Sequence, residues 1–161
     1  NLPHPNGMAR EMSSNAEQQE NSGYARTFIE GSPSDPDILF GGPMTAETLS
    51  FWVSDIEARD KYAKAFEQSS FDGMLAYYKQ NYPRSTSSSA PPPQAPQLNV
   101  PLLVFHGLQD TALHSDGLNN TWDWNDQDTT IVSAPTASHF VQQDAAELVT
   151  STMKWWLNAR K

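Results

Sequence analysis

The sequence predicts an α/β fold in which short parallel strands form the edge of an open sheet. Residues 100–105 are a continuous apolar run, which is typical of a strand buried on both faces. Residues 129–133 have the composition of a second strand, and an amphipathic helical pattern follows them. The order strand, linker, strand, helix is typical of the edge of an open parallel α/β sheet.

Three regions of different composition follow one another in the 161-residue chain. Residues 1–83 are polar and helical in pattern, and we expect them to form a separate helical region. Ser, Pro and Ala supply 10 of the 14 residues of the segment 84–97, which predicts an exposed linker. Residues 98–161 contain both predicted strands. The sequence therefore predicts a helical region, a linker and a sheet-containing region.

The helical region contains several predicted helices. Residues 7–28 are expected to form one or two helices. Thr45 is a candidate N-cap for a helix that runs to about Gln68. A third helical segment, residues 73–82, ends before Pro83.

One more helix is expected at the C-terminal end of the chain. Asp144 is the predicted N-cap of this helix. Its apolar stripe is predicted to consist of Ala145, Leu148, Val149, Met153 and Trp156.

The composition argues against several classes of protein. A net charge of −9 does not suit a nucleic-acid-binding surface or an anionic membrane surface. The absence of cysteine excludes disulfides, thiolate nucleophiles and cysteine-ligated metal sites. The longest apolar run is far shorter than the roughly 20 residues of a membrane-spanning helix. We therefore expect neither a nucleic-acid partner nor a membrane span.

Asp110 and His139 are the candidate catalytic residues, because each follows a predicted strand. Asp110 lies just past the carboxyl end of the first strand, and His139 lies on the loop that leaves the second. In open parallel sheets the functional groups lie on loops beyond these strand ends. A carboxylate that orients a His and stabilises its protonated ring forms a general base for water or a nucleophile. We therefore predict that Asp110 accepts a hydrogen bond from a ring nitrogen of His139.

Each of these residue types also has an ordinary structural role. An Asp after a strand commonly forms a turn, and a lone His is commonly a satisfied polar group. His4, His106 and His114 are expected to be structural, since no helical i, i+4 pair or carboxylate cluster accompanies them. The sequence thus predicts no metal site and no cofactor.

Short motifs along the chain resemble a known enzyme family. Residues 106–110, His-Gly-Leu-Gln-Asp, and residues 138–140, Ser-His-Phe, resemble the C-terminal part of α/β-hydrolase-fold enzymes. Four further segments resemble parts of the epoxide hydrolase branch: residues 1–5, 17–19 and 22–28 its strand-to-cap junction, and residues 71–79 its late cap segment. The resemblance covers nearly the whole chain apart from the Ser/Pro-rich linker. It implies that the fold is the C-terminal part of an α/β-hydrolase, with a helical cap and the edge strands of the parallel sheet.

The resemblance also implies roles for four residues. Tyr24 and Tyr78 would be the cap tyrosines that hydrogen-bond the epoxide oxygen of a small hydrophobic substrate, although Tyr77 and Tyr82 are alternatives to Tyr78. Asp110 would orient His139, and His139 would activate the water that hydrolyses a covalent alkyl-enzyme ester.

The nucleophile of such an enzyme is not present in this sequence. We expect it in an N-terminal half of the same enzyme, which is either a separate chain or a preceding segment. The nucleophile would be Asp in an epoxide hydrolase or in a haloalkane or haloacid dehalogenase, and Ser in an esterase. A non-catalytic relative of the same fold is a further alternative. The two cap tyrosines favour an epoxide hydrolase.

Overall fold

The structure, a computed structural model, describes residues 2–39, 41–82 and 95–161. They form two compact units. We call them the core unit, which contains residues 2–22 and 95–161, and the helical unit, residues 23–82. No helix in the part of the chain that the structure describes is long and apolar enough to cross a membrane.

The predicted linker, residues 84–97, lies mostly outside the described residues, which omit residues 83–94. The boundaries of the predicted helical region and of the predicted C-terminal region therefore stay predictions.

Among the described residues, six α-helices precede the two strands, and two more α-helices follow them. In chain order they are α1 (Pro5–Ser14), α2 (Ala16–Asn21), α3 (Gly23–Glu30), α4 (Ala46–Ser50), α5 (Ile56–Phe66), α6 (Phe71–Asn81), β1 (Leu102–Gly107), β2 (Thr129–Ala134), α7 (Val141–Asp144) and α8 (Ala146–Asn158). Two short 3-10 helices, Ser115–Leu118 and Thr121–Trp124, lie between the strands.

Strands β1 and β2 pair in parallel and form the sheet of the core unit. The register places Leu102 opposite Thr129 and Gly107 opposite Ala134. β1 begins after Pro101, which has no N–H for the ladder, and it extends two residues beyond the predicted run. The parallel pairing confirms the predicted α/β class.

The first predicted helical segment, residues 7–28, divides into α1, α2 and α3. Asn15 causes the first division, because its Oδ1 accepts hydrogen bonds from the N–H groups of Glu17 and Gln18. A side chain that accepts hydrogen bonds from the N–H groups of a helix's first turn is an N-cap, and it marks the start of a new helix. α1 and α2 belong to the core unit, and α3 belongs to the helical unit.

The helix predicted to run from Thr45 to Gln68 is also divided. Thr45 does cap a helix, and its side chain and that of Thr48 form a reciprocal capping box. The helix ends at Ser50, however, and α5 begins after a second N-cap, Asp55, whose carboxylate accepts from the N–H of Ala58.

Helices α3 and α6 pack together in the helical unit. The unit has a core of four buried residues with three half-buried ones around them: Ile38, Leu39, Met44 and Leu75, with Phe28, Leu49 and Phe71.

The C-terminal helix differs from its prediction. Asp144 is the last residue of α7 rather than an N-cap, and α8 begins after Ala145 without a side-chain cap. Val149 packs against Ala134, the last residue of β2, and against Ala137 and Val141. Other members of the predicted stripe are exposed, Leu148 at 39% and Met153 at 45%. The apolar face of α8 is therefore only partly covered within the described residues.

Candidate active site

Asp110 lies in a tight turn directly after β1. Its N–H donates to the carbonyl of Gly107 at 3.1 Å. Its Oδ1 accepts hydrogen bonds from the backbone N–H groups of Ala112 at 2.8 Å and Leu113 at 3.0 Å. The side chain is 0% exposed. An Asp that binds the backbone two and three residues ahead holds its own turn in shape, so Oδ1 of Asp110 has a structural role in this turn.

The loop that carries His139 packs tightly against the end of β1. The N–H of Leu108 donates to Ala134 O, and that of Gln109 donates to Ala137 O, both at 3.0 Å. A Cβ at Gly107 would overlap the carbonyl oxygens of Ala137 and Ser138. Only glycine therefore allows the two strand-end loops to approach this closely.

His139 and Asp110 form the predicted hydrogen bond. Nδ1 of His139 lies 3.0 Å from Oδ2 of Asp110 and 3.2 Å from its Oδ1. Burial alone would raise the pKa of Asp110, but the hydrogen bonds from His139 and from two backbone N–H groups hold the pKa below its usual value. An ionised carboxylate only accepts hydrogen bonds, so the Nδ1 of His139 carries the proton. A neutral ring then keeps Nε2 as the basic nitrogen.

Two further contacts orient the His139 loop. The carboxylate of Asp144 accepts from the backbone N–H of Ser138 at 2.8 Å and from its hydroxyl at 2.6 Å. The ring of Phe140 lies edge-on to the imidazole, with centroids 5.1 Å apart. The predicted cap role of Asp144 is wrong, because its carboxylate binds Ser138 in the preceding loop and does not cap the start of α8.

Tyr24 and Tyr78 meet in the helical unit. Tyr24 lies on α3 and Tyr78 on α6, and their ring centroids are 6.0 Å apart. Burial raises the pKa of Tyr78 above its ordinary value of 10.0, and a hydrogen bond with Tyr24 offsets this only in part. The Tyr78 phenol is therefore protonated at neutral pH and has a proton to donate.

The two alternatives to Tyr78 differ from each other in the structure. Tyr77 is 62% exposed. Tyr82 is half-buried, its ring lies 5.4 Å from that of Tyr78, and burial raises the pKa of its phenol above 10.0. Tyr24, Tyr78 and Tyr82 thus form a cluster of partly buried phenols. The ring of Tyr77 also contacts that of Tyr78, with centroids 5.5 Å apart, but Tyr77 is the exposed member of the group. The spacing of the tyrosines alone does not predict this, because it depends on how α6 faces α3.

The histidines that were expected to be structural have structural contacts. His4 caps α1 by accepting from the N–H of Asn6, and its ring stacks on Trp124 with centroids 5.0 Å apart. His114 caps the first 3-10 helix by accepting from the N–H of Asp116. His106 is 1% exposed within β1.

His114 does have acidic neighbours that the sequence did not indicate. Possible ligand atoms of Glu11, His114 and Asp116 lie within 4.8 Å of one another. Both oxygens of Glu11 already accept hydrogen bonds, from Arg10 at 2.8 Å and Asn15 at 2.9 Å. The buried carboxylate of Glu11 therefore has a structural role in the last turn of α1, as the partner of Arg10 and Asn15.

Sequence reasoning assigned no role to Gln18, although this residue lies in one of the motifs quoted above. It is 1% exposed and contacts the turn that carries Asp110. No local pattern reveals this, because its backbone partners in that turn are 94 and 96 residues away in the chain.

Comparisons with known proteins give the class of fold. No protein-family profile matches the chain, and no curated protein matches its sequence. Two solved structures of variants of the epoxide hydrolase from Bacillus megaterium superpose with TM-scores of 0.77 and 0.78, at 20% identity over 97% of this chain. One of them is a complex with its diol product.

A third solved structure has higher sequence identity. It is described among epoxide hydrolases of the alpha/beta hydrolase superfamily in metagenomes from hot environments. It superposes over 98% of this chain with a TM-score of 0.74 and 27% identity. This chain spans 57% of the length of each of these structures.

The chain therefore has the fold of the C-terminal part of an α/β-hydrolase. Within that class, its structural neighbours are epoxide hydrolases. The predicted fold class and the predicted resemblance to this branch are both confirmed.

Proposed function

We propose that this chain is the C-terminal portion of an epoxide hydrolase, and that Asp110, His139, Tyr24 and Tyr78 belong to its active site. The observation that carries the proposal is the hydrogen bond between His139 and the buried Asp110 at the ends of two adjacent parallel strands. The phenol pair on α3 and α6 and the epoxide hydrolase neighbours support it.

The first step would open the epoxide ring. A carboxylate nucleophile attacks one ring carbon, the C–O bond at that carbon breaks, and the oxygen leaves as a developing alkoxide. Tyr24 and Tyr78 would donate hydrogen bonds to this oxygen, and one phenol would transfer its proton to it. A raised phenol pKa keeps the donor protonated until negative charge develops on the oxygen.

The second step would hydrolyse the covalent ester. Nε2 of His139 would take one proton from water while the water oxygen attacks the ester carbonyl. As the nucleophile carboxylate is regenerated, the second proton of that water would go to the leaving diol oxygen. The proton on His139 would then return through solvent to the tyrosine phenolate left by the first step. Asp110 would hold the proton on Nδ1, keep the ring in place and stabilise the imidazolium that forms.

The nucleophile would come from an N-terminal half, as a separate chain or as a preceding segment. The length of the structural neighbours supports this, since the chain spans 57% of them. A cavity of about 320 Å³ beside β1 also supports it, because its walls include Leu2, Leu98, Leu102 and Val104. The sheet has two strands among the described residues, and an apolar hollow beside such a small sheet suits the packing of further sheet and helix.

The domain division stays part of this proposal. Residues 1–83 would contribute the cap and its junction with the core. Residues 84–97 would link the cap to the core, and residues 98–161 would supply the acid and histidine loops. The substrate would be a small hydrophobic epoxide, and no step requires a cofactor.

The proposal is tested by comparing Tyr78→Phe with Tyr77→Phe in the complete enzyme. Loss of one donor to the alkoxide should raise the barrier of ring opening by about 2–4 kcal/mol, roughly 30–1000-fold in rate. Tyr77→Phe removes the same hydroxyl from the exposed neighbour and should leave the rate unchanged. Diol formation from an aryl glycidyl ether is the measurement. A wild-type enzyme that hydrolyses only esters or haloalkanes, or an inactive one, would contradict the proposal.

A further inference from the structure

Gln18 connects helix α2 to the turn that carries Asp110. Its Nε2 donates to the carbonyl of Ala112 at 2.8 Å and to the hydroxyl of Ser22 at 2.9 Å. Its Oε1 accepts from the backbone N–H of His114 at 2.7 Å. The side chain is among the most deeply buried in the protein, with 1% exposure. One carboxamide thus meets both a carbonyl and an N–H of the same turn.

The orientation of this carboxamide follows from its partners. Turning it over would place the amino group against the N–H of His114 and the oxygen against the carbonyl of Ala112. Both contacts would be repulsive, and the Gln18 side chain, at 1% exposure, has little access to water. Only one arrangement of Gln18 therefore satisfies the buried backbone groups of residues 112 and 114.

The same turn is also held by Asp110. The Oδ1 of Asp110 accepts from the N–H groups of Ala112 and Leu113, while its Oδ2 faces Nδ1 of His139. Residues 112–114 are thus bound by two side chains, the carboxylate of Asp110 and the carboxamide of Gln18. A shift of residues 112–114 would move the two N–H groups that orient the carboxylate of Asp110.

We propose that Gln18 is a positioning residue for the Asp110–His139 pair. It acts through the backbone of residues 112–114 and contacts neither the substrate nor His139. The step that it supports is hydrolysis of the covalent ester, because this is the step that needs an oriented His139. This inference rests on the proposed function for its kinetic consequence, but its structural consequence is measurable without any substrate.

The test uses two variants of the complete enzyme, Gln18→Met and Gln18→Glu, with Gln19→Ala as the matched control. Met keeps the length of the side chain and loses all three hydrogen bonds. Glu keeps an acceptor for His114 but sets an oxygen against the carbonyl of Ala112. Gln19 is the adjacent, exposed glutamine and does not contact the turn; its side chain donates to Met12 O.

Two measurements separate positioning from general stability. The first is the NMR signal of the hydrogen-bonded Nδ1 proton of His139, which should be lost or broadened in both Gln18 variants and kept in Gln19→Ala. The second is single-turnover kinetics with an epoxide, followed by mass spectrometry of the covalent adduct. Hydrolysis of the adduct should slow about 10–100-fold, the range expected for a displacement of about 1 Å, while its formation stays within about twofold.

Several results would overturn the inference. An unchanged Nδ1 proton signal in both Gln18 variants would show that the turn does not depend on the carboxamide. Equal slowing of both steps, or loss of cooperative unfolding in both variants, would make Gln18 a general structural residue. If the wild-type enzyme formed no adduct, the proposed function would fail, and the NMR signal would still decide the role of Gln18.

Discussion

Asp110→Asn preserves the shape of the side chain but reverses the hydrogen bond to His139. The amide oxygen of Asn would stay where Oδ1 is now, because that position accepts two backbone N–H groups, from Ala112 and Leu113. Turning the amide over would leave both buried donors without an acceptor, at about 1–3 kcal/mol each. The amino group would therefore occupy the position of Oδ2, which lies 3.0 Å from Nδ1 of His139.

An amino group in that position donates to Nδ1 and so moves the ring proton to Nε2. A ring protonated on Nε2 cannot take a proton from water there. The same substitution in a Ser-His-Asp triad lowers the rate by about 10⁴-fold for this reason. We therefore expect ester hydrolysis to slow by about 10²–10⁴-fold, roughly 3–5.5 kcal/mol at 1.36 kcal/mol per decade. Formation of the ester should change little, because it does not use His139.

The assay is rapid mixing of the complete enzyme with an epoxide, acid quenching, and mass spectrometry of the adduct against time. Asp116→Asn is the control, because Asp116 is an exposed acid in the next turn of the chain, with 56% side-chain exposure. Hydrolysis that slows less than threefold in Asp110→Asn would refute the orienting role. Equal slowing of formation and hydrolysis would refute it too.

The remaining predictions concern the loops around this pair. Gly107→Ala should destabilise the fold by about 3 kcal/mol in urea unfolding, because a Cβ there meets the backbone of the His139 loop. Ser138→Ala should cost about 1 kcal/mol of unfolding free energy through loss of its hydroxyl hydrogen bond to Asp144, with Ser133→Ala as a control. Acid should destabilise the fold through Asp110, because the pKa of this carboxyl is lower in the folded protein than its unfolded value of about 3.8. The ionised carboxylate therefore adds stability above pH 3.8, and this stability is lost as the pH falls through the folded pKa. Unfolding of Asp110→Asn should accordingly vary less with pH below 4 than that of the wild type.

Local patterns predicted the elements of the fold better than their boundaries. The N-cap at Thr45 is correctly predicted, but the helix after it ends early, and Asp55 caps the start of a new helix. Asp144 has the residue type of an N-cap, yet a hydroxyl and an N–H of Ser138 compete successfully for its carboxylate. A boundary depends on which of several competing hydrogen bonds forms, and the spacing of residues does not decide this.

The sequence predicted those residues of the candidate site whose position follows from the order of the strands. Asp110 and His139 follow adjacent strands, and parallel pairing brings the carboxyl ends of such strands to one edge of the sheet. Tyr24 and Tyr78 could be named only through the family resemblance. Gln18 could not be assigned a role at all, since its hydrogen-bond partners in the Asp110 turn are more than 90 residues away in the chain.

Trapping of a covalent intermediate in His139→Gln tests the central claim most directly. In this variant of the complete enzyme the nucleophile and the tyrosines remain, so an epoxide should still alkylate the nucleophile. Without a base for water the ester should persist, and mass spectrometry should find the enzyme heavier by the mass of one epoxide. Diol formation at the wild-type rate, or no adduct after exposure to the epoxide, would contradict the account.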